Sequence, residues 1–540
     1  MLDAILSAHL KSATPINREH ATNVGVRNYA LLFFGFVLFH LAGTWSLPLI
    51  DRDEPRFAEA SREMIERSDY VVPYFNDRVR FDKPPLTYWF QVASYRVFSE
   101  NDFAARFPSA IAAALTALSI FAWGSRLRSP RRPSALQACI GGNRIGWWAA
   151  IIFTLSLQTF LHAKAAVADM WLVLFVTLAH WSGYELLRDC LTNDDKRSTV
   201  NVPRSTFNWN WWMFYFALGF AFLAKGPIGW TPLLTVTSST IILLREPQFA
   251  QRFKFGRGIV VILAIVSIWG IPALLRTNGE FFVVGIGRHV IGRSFGAMEG
   301  HGANSLGAYL LLLPFYFVTV FASFFPWSIK LPWLAKQLWR NRGAAVGARS
   351  DRPGNKIDNY LLTGTAIIFF IFTLAKTKLP HYTLPAFPLL SLLLAWRWID
   401  SETPTRFLKK SAVAAVCVYF ALALFVAPFA AQLFPAWQLF RQSRDYLRPE
   451  MQFASVDYNE PSLVWYFRSR VRGWLQTPAL RPTNVQRFME QTGPRFVILP
   501  TELAGKIYPA LPNDWKNFRA CGFNIAKGKQ ADLTLILKPE

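Results

Sequence analysis

Residues 29–64 read YALLFFGFVLFHLAGTWSLPLIDRDEPRFAEASREM, and this stretch decides what kind of protein the chain is. It opens with about twenty mostly apolar residues, which is the length that an α-helix needs to cross the hydrocarbon core of a bilayer. Asp51, Asp53 and Glu54 follow where the chain leaves the membrane. Because charges so close to hydrocarbon cost free energy unless they pair or bind a ligand, these acids predict a functional site at the membrane surface.

The rest of the chain is equally apolar. Its 540 residues are 52% hydrophobic and only 17% charged, and the mean hydropathy is +0.21, which excludes an ordinary soluble enzyme of this length. We predict an all-α polytopic membrane protein with about eleven spanning helices and no cleavable signal peptide. The candidate spans are residues 29–49, 108–124, 145–162, 166–187, 210–224, 227–244, 258–275, 306–327, 360–375, 381–396 and 412–430.

The distribution of charge sets the expected orientation. A net charge of +24 would suit a nucleic-acid-binding protein, but much of the excess lies between predicted spans, at residues 126–144, 245–257 and 330–356. Loops rich in Lys and Arg stay in the cytoplasm. The loop that begins at Ile50 and everything after Ala430 are therefore expected on the outer, periplasmic side, and no nucleic acid is expected as a partner.

Composition divides the chain into three segments. Residues 1–28 are predicted to be a basic cytoplasmic arm, and residues 29–430 the membrane domain. Residues 431–540 are predicted to form a small periplasmic α/β domain. In that segment β-rich runs such as RFVILP (495–500) alternate with helix-like runs such as NVQRFMEQTG (484–493).

The first outer loop, residues 50–107, is predicted to contain two amphipathic helices that lie along the membrane surface. Pro55 suits the first turn of one helix, with Asp53 or Glu54 as its cap. The apolar positions of this helix share one face and the charged positions occupy the rest. The second helix is expected over residues 86–98, and both resemble interfacial helices.

Polar residues near the predicted helix ends gather on the outer side of the membrane. They are Asp53, Lys83, Lys164, Asp169, Lys225, Arg288, His289, Arg293, Lys376, Lys378, His381 and Tyr382. Each has an ordinary explanation when taken alone: an aspartate can cap a helix, a lysine can extend its ammonium to the interface, and His289 can be a packed histidine. Their agreement on one side favours a site for a phosphate-bearing lipid, in which cations bind the phosphate and a carboxylate handles a proton or a developing positive charge.

Five motifs between residues 30 and 400 resemble, in order and spacing, the bacterial aminoarabinose transferase family, which is related to the protein O-mannosyltransferases. They are DRDEPRFAEASREM (51–64), RFDKPPLTYW (80–89), AVADMW (166–171), AKGPIGW (224–230) and AKTKLPHYTLPAFP (375–388). The resemblance implies a C-type (GT-C) glycosyltransferase of the bacterial inner membrane that takes a sugar from undecaprenyl phosphate on the periplasmic side. In the best-known branch, the sugar is 4-amino-4-deoxy-L-arabinose and the acceptor is a phosphate of lipid A. Such enzymes use no nucleotide sugar, and the chain has no glycine-rich phosphate loop.

The resemblance also implies roles for individual residues. Asp53 and Asp169 match two acidic positions of the family and are the predicted catalytic residues, with Glu54 as a third candidate. Lys83 matches the lysine of an acidic-Lys-Pro motif and is expected to bind the lipid phosphate. The further candidates for substrate binding are Arg293 or its neighbour Arg288, Tyr382, Lys164, Lys225 and Lys378. Asp82 and His289 are the candidate ligands of a divalent metal, which is the one cofactor considered.

The predicted reaction is an inverting displacement at the anomeric carbon of the sugar, in which polyprenyl phosphate leaves. The acceptor stays open at this point, since a protein hydroxyl, an O-antigen or another envelope glycan would suit the same chemistry as lipid A. The alternative from another class is a lipid or solute transporter. A transporter predicts charges near the middle of helices and internal repeats, whereas the acids and lysines here stand mostly at helix ends.

Overall fold

The computed structural model describes residues 26–127, 135–193, 208–239, 253–292, 305–345 and 353–540. Most of these residues are helical, and a small sheet lies near the C-terminus. Most of the predicted N-terminal arm and parts of the three basic stretches lie outside the described residues. The helices that build the membrane domain and the first outer loop are α1 (Val26–Leu41), α2 (Asp53–Arg67), α3 (Leu86–Phe98), α4 (Asp102–Arg126), α5 (Ala135–Thr154), α6 (Leu157–Ala163), α7 (Asp169–Asn193), α8 (Trp209–Lys225), α9 (Thr231–Ser238), α10 (Phe255–Arg276), α11 (Leu306–Leu311), α12 (Phe315–Ser323), α13 (Leu331–Ala345), α14 (Pro353–Leu374), α15 (Phe387–Asp400), α16 (Arg406–Ala421) and α17 (Ala427–Ala430).

The chain is a multi-span helical membrane protein. Within the described ranges, five helices are long and apolar enough to cross a bilayer, and the number rises to seven if each of two bent helix pairs is one span. Every predicted span contains helix in its described part. Among the described residues five to seven spans meet the test of length and apolarity, so the predicted number of about eleven stays a prediction. Helices α1 and α8 have 16 and 17 residues and are short for a membrane crossing.

The clearest departure from the predicted spans is at residues 306–327. Here the helices Phe315–Ser323 and Trp327–Arg340 meet at an angle of 118°. Pro326 lies in the break between them, and proline cannot donate the backbone hydrogen bond that would continue a helix. The apolar run therefore folds back instead of forming one straight span.

Close packing of small residues holds the centre of the membrane domain together. A Cβ atom added to Gly124 of α4 would lie 2.7 Å from the Cα atom of Gly146 in α5, so only glycine allows the two helices to approach this closely. Helix α15 is buried along its whole length and packs against α5. Its full burial makes it a central helix of the domain.

The first outer loop contains both predicted helices, with a short antiparallel hairpin between them, β1 (Tyr74–Phe75) and β2 (Arg78–Val79). Arg52 occupies the N-cap position of α2, and no side chain caps this helix. Asp53 thus begins the helix, where its charge faces the positive end of the helix dipole. The prediction that Asp53 or Glu54 caps the helix was wrong by this one position.

The C-terminal segment forms the predicted small α/β domain. Its helices and strands are α18 (Pro435–Ser443), β3 (Gln452–Ser455), α19 (Pro461–Phe467), α20 (Val485–Glu490), β4 (Arg495–Pro500), α21 (Thr501–Ile507), β5 (Lys516–Asn524) and β6 (Lys529–Lys538). The strand order is β3-β4-β6-β5, with β3 parallel to β4 and the other neighbours antiparallel. Apolar residues from both faces of the sheet form two separate cores.

The C-terminal domain packs directly on α2 and covers charged residues of this helix, for which the sequence predicted a position along the membrane surface. Glu59 and Glu63 have no exposed surface and Arg62 is 2% exposed. Arg468 of the domain forms ion pairs with Glu59 and with Glu66, the latter at 2.7 Å. The charged face of α2 is therefore buried because side chains about 400 positions further along the chain neutralise it.

Candidate active site

A cavity of about 960 Å³ lies beside the first outer loop. Most of its lining is apolar and comes from α8, α9, α10, α14 and the π-helix Phe281–Gly292. The polar and charged side chains of the lining are Asp82, Lys83, Asp169, Lys225, Thr231, Ser267, Thr377, His381 and Tyr382. A mostly apolar cavity with a few charged groups, hereafter called the groove, suits an amphiphilic ligand, with room for an apolar chain and binding groups for a charged head.

Asp169 and Lys225 form an ion pair in this cavity. The ammonium nitrogen of Lys225 donates to Oδ1 of Asp169 at 2.6 Å. Asp169 is the first residue of α7 and Lys225 the last residue of α8, so each charge sits at the helix end whose dipole stabilises it. The ring of Tyr382 lies 5.5 Å from the same ammonium. Three predicted site residues thus meet at one point.

The segment after the β-hairpin contributes a second charged group. Oδ1 of Asp82 lies 3.0 Å from the ammonium of Lys83, and Oδ2 lies 3.2 Å from the guanidinium of Arg80. Arg80 is buried and stacks over the ring of Phe57 in α2. This stacking joins the Asp82–Lys83 segment to the helix that carries Asp53.

Asp53 lies close to this group. Burial lowers the pKa of Arg80, but the nearby groups Tyr88, Asp82 and Asp53 raise it by more, so the pKa lies above its usual value. Asp53 is thus near enough to act on the Arg80 guanidinium. The Asp53 side chain is 64% exposed and is not part of the cavity lining. It therefore lies outside the cavity, at an exposed position near the Asp82–Lys83 segment.

Two histidines complete the charged end of the cavity. The rings of His162 and His381 lie 4.9 Å apart, and one ligand-type atom from each, with one carboxylate oxygen of Asp169, fall within 4.8 Å of one another. His162 stands seven residues before Asp169, and His381 directly precedes Tyr382. Sequence analysis placed His381 among the polar residues of the outer side without giving it a role. It missed His162 and Arg80, which lie beside or in motifs that it used.

Two of the predicted substrate-binding lysines point elsewhere. Lys164 donates to the carbonyl oxygens of Phe39, His40 and Ala42 at 2.6–3.2 Å, which are unpaired acceptors at the end of α1. Lys378 donates in the same way to carbonyl oxygens at the end of α14. Neither lysine lines the cavity. Each completes the hydrogen bonds of a helix end, so a direct role for them at the substrate remains only a prediction.

Glu54 also has a local explanation. Its carboxylate forms a two-pronged ion pair with Arg106, at 2.7 and 3.0 Å. It also accepts hydrogen bonds from the backbone N–H groups of Ile50 and Ala166. The side chain is buried and does not line the cavity. These contacts tie the start of α2 to the turn before Asp169, so a catalytic role for Glu54 stays a prediction.

Arg288, His289 and Arg293 are the remaining predicted residues, and the structure describes them only in part. Arg288 is exposed on it and is not in the cavity lining. Arg293 lies outside the described residues, as does the side chain of His289. The predicted metal pair of Asp82 and His289 therefore has one described ligand, whose two oxygens already face Arg80 and Lys83.

Comparisons with known proteins support the resemblance seen in the motifs. The chain is 28% identical over 375 residues to the undecaprenyl phosphate-alpha-4-amino-4-deoxy-L-arabinose arabinosyl transferase of Pectobacterium atrosepticum, with 69% of this chain and 59% of that protein covered. The transferase of the same name from Aeromonas salmonicida is 28% identical over 374 residues, with 69% and 60% covered. The chain thus spans about 60% of the length of these curated relatives. No family model matches it.

Solved structures support the fold. The crystal structure of ArnT from Cupriavidus metallidurans bound to undecaprenyl phosphate matches with a TM-score of 0.65 and 18% sequence identity, over 95% of this chain and 98% of that one. The structure of the same protein in the apo state matches with the same score over 94% and 98%. The agreement extends over nearly all of both chains, so the C-terminal domain belongs to the shared fold.

Proposed function

We propose that this chain is a membrane glycosyltransferase that takes its sugar from undecaprenyl phosphate, because it is similar in sequence and fold to the aminoarabinose transferases. The sugar we propose is 4-amino-4-deoxy-L-arabinose, the acceptor is a phosphate of lipid A, and the site faces the periplasm of a bacterial inner membrane. The observation that carries the proposal is the cavity itself, in which Lys83 and Lys225 are part of a mostly apolar lining.

The charged end of the cavity has the groups that a departing phosphate needs. As the acceptor oxygen bonds to the anomeric carbon, the bond from that carbon to the phosphate oxygen breaks and its electron pair stays on the phosphate. Lys83 and Lys225 supply positive charge at this point, and the hydroxyl of Tyr382 adds a hydrogen-bond donor. Preorganised donors of this kind contribute about 3 to 4 kcal/mol each to the stabilisation of a transition state.

The two aspartates take different tasks. Asp169 is held by Lys225, and this ion pair fixes the direction of the ammonium toward the cavity. Asp53 is the exposed acid at its edge and is placed to orient the acceptor or the amine of the sugar. A phosphate acceptor is already ionised near neutral pH, so Asp53 has no proton to remove from it; with a hydroxyl acceptor, Asp53 would act as the base.

Transfer from the lipid-linked sugar to lipid A tests the proposal directly. Purified protein is mixed with undecaprenyl phosphate-linked aminoarabinose and lipid A, and the mass of lipid A is followed by mass spectrometry. Lys83→Ala and Asp53→Asn should each lower the rate at least about 100-fold, because each removes a charge from the site. Lys409→Ala changes an exposed lysine of α16 and should leave the rate unchanged. Transfer at the normal rate in either site variant would overturn these roles.

The acceptor is tested by the same assay with other substrates. An O-antigen or a protein hydroxyl replaces lipid A while the donor stays the same. A mass increase on one of these acceptors, with none on lipid A, would retain the glycosyltransferase and reject lipid A as its acceptor. If the protein moves the lipid-linked sugar across the membrane of a vesicle and transfers the sugar to no acceptor, it is instead a transporter.

A further inference from the structure

His162, Asp169 and His381 form a compact group at the charged end of the cavity. One potential ligand atom from each residue lies within 4.8 Å of the other two, and among the described residues this is the one group of three or more such side chains with that spacing. The three residues come from α6, α7 and the 3₁₀ segment Pro380–Ala386. Residues more than 200 positions apart thus meet at one point.

We propose that these three residues bind a divalent metal ion of the zinc type. The inference rests on the proposed function, since the ion would lie beside the lysines assigned to the donor phosphate. It uses different ligands from the Asp82 and His289 pair considered from the sequence. It also gives Asp169, which the proposed function uses only to orient Lys225, a chemical task of its own.

The ligand types fit this metal. Zinc prefers imidazole nitrogens and carboxylate oxygens in a tetrahedral arrangement, and zinc sites that act in catalysis keep three protein ligands and one open position. Two histidines and one aspartate supply three. Asp169 and His381 line the cavity, so the open position would face the substrate. There the ion would act as a Lewis acid toward a phosphate oxygen.

The surroundings of His162 also fit. Its Nδ1 atom lies 3.2 Å from the backbone carbonyl oxygen of Gln158, one helical turn earlier, and 3.0 Å from the side-chain amide nitrogen of the same residue. A metal on Nε2 would require the proton on Nδ1, which would then donate to the carbonyl oxygen, with the Gln158 amide rotated so that its oxygen faces the ring. Metal-binding histidines are commonly oriented by such a hydrogen bond from the second ring nitrogen.

Lys225 is the group that argues against a metal, because its ammonium lies 2.6 Å from Oδ1 of Asp169. A carboxylate, however, has two oxygens and several lone pairs. With Lys225 on one oxygen, the second can bind the ion, and ligating carboxylates are usually hydrogen-bonded in this way. The lysine would then orient the ligand without displacing the metal.

Cobalt binding tests the proposal without reference to activity. The full chain, purified in detergent and freed of metal with a chelator, is titrated with Co²⁺, whose visible absorption reports tetrahedral coordination. One Co²⁺ ion per chain is expected, displaced by Zn²⁺. His162→Gln and His381→Gln should each weaken Co²⁺ binding by at least about tenfold. Loss of a residue that only hydrogen-bonds to a metal ligand already lowers metal affinity by about 10- to 100-fold.

Two further variants make the result decisive. Asp82→Asn leaves the proposed ligands intact and should bind Co²⁺ as the unchanged chain does, whereas it should abolish binding if the metal lies between Asp82 and His289. His162→Cys replaces one ligand with another and should retain Co²⁺ with a new thiolate absorption, which a misfolded variant would not show. The proposal would be overturned if the unchanged chain did not bind one Co²⁺ ion, or if both glutamine variants bound Co²⁺ as tightly as the unchanged chain.

The proposed function can fail independently of the metal site. Lys83→Ala is expected to lose transfer while it binds Co²⁺ normally. If no sugar transfer is found but Co²⁺ binding depends on His162 and His381, the metal site stands and the assigned reaction falls. If transfer occurs and Co²⁺ does not bind, the assigned reaction stands and the metal site falls.

Discussion

The ion pair of Asp169 and Lys225 is the residue-scale feature on which the charged end of the cavity depends. Lys225→Met would leave the buried carboxylate without its cation, which costs on the order of 3 kcal/mol, so the midpoint of thermal unfolding should fall. Adding Asp169→Asn removes the remaining charge and should recover most of the loss, while sugar transfer stays absent in both variants. Lys410→Met, at an exposed position of α16, is the matched control. A double variant as unstable as Lys225→Met would show that the pair does not stabilise the fold.

Individual residues also show where reasoning from the sequence stops. The motifs placed Lys83, Lys164 and Lys225 alike near the outer membrane edge, and the structure puts two of them in the cavity and turns Lys164 to the end of α1. Spacing along a chain gives the position of a lysine but not the direction of its long side chain. Unpaired carbonyl oxygens at a helix end compete for the ammonium, and only the folded contacts decide that competition.

At the scale of elements, α2 links the C-terminal domain to the cavity. Its first residue is Asp53 and its buried face is held by Arg468. The sequence predicted the helix itself, because apolar spacing and Pro55 are local signals. It did not predict the burial of the charged face. A row of Glu and Arg is typical of a solvated surface, and the partner that neutralises it lies about 400 residues away.

The protein should become less stable as pH rises, because a buried carboxyl just before α2, that of Asp51, contacts the C-terminal domain. Asp51 accepts two hydrogen bonds from Ser462, and burial raises the pKa of this carboxyl to about 7, whereas an unfolded chain has a value near 4. Between about pH 4 and pH 7 the folded state therefore binds the extra proton, and the free energy of unfolding falls as pH rises. The midpoint of thermal unfolding should drop between about pH 4 and about pH 7 and level off above that.

Asp51→Asn tests this pH dependence. The amide can accept from the backbone N–H of Ser462 and donate to its hydroxyl, so the contact survives without a titrating group. The variant should be more stable than the unchanged chain at pH 8 and should show a smaller drop on the way there. Asp445→Asn changes an aspartate that is 81% exposed and should keep the full drop. An unchanged slope in Asp51→Asn would mean that other groups control the pH dependence.

At the scale of the whole molecule, the sequence predicted a polytopic membrane protein with a small C-terminal α/β domain, and the structure has both. The outer position of that domain stays a prediction. Average hydropathy along the chain is a strong signal because the bilayer demands long apolar helices. The number of spans was less predictable, since hydropathy does not report a bend. At Pro326 an apolar run of spanning length folds back.

The apolar groove gives a prediction that involves the shape of the molecule as a whole. Gly270 of α10 lines the groove, and a Cβ atom added there would meet only Val266, at 3.8 Å, so Gly270→Trp should fold and fill space that we assign to the prenyl chain. Transfer from the undecaprenyl donor should fall at least about tenfold, which corresponds to a loss of about 1.4 kcal/mol of apolar contact. Transfer from a donor with a short prenyl chain should change little, because that chain ends before the obstruction.

Gly35→Trp adds the same bulk to an exposed position of α1 and should preserve both rates. Equal losses with long and short donors would indicate that the substitution disturbs the charged end of the cavity, and no loss with either would show that the lipid lies elsewhere.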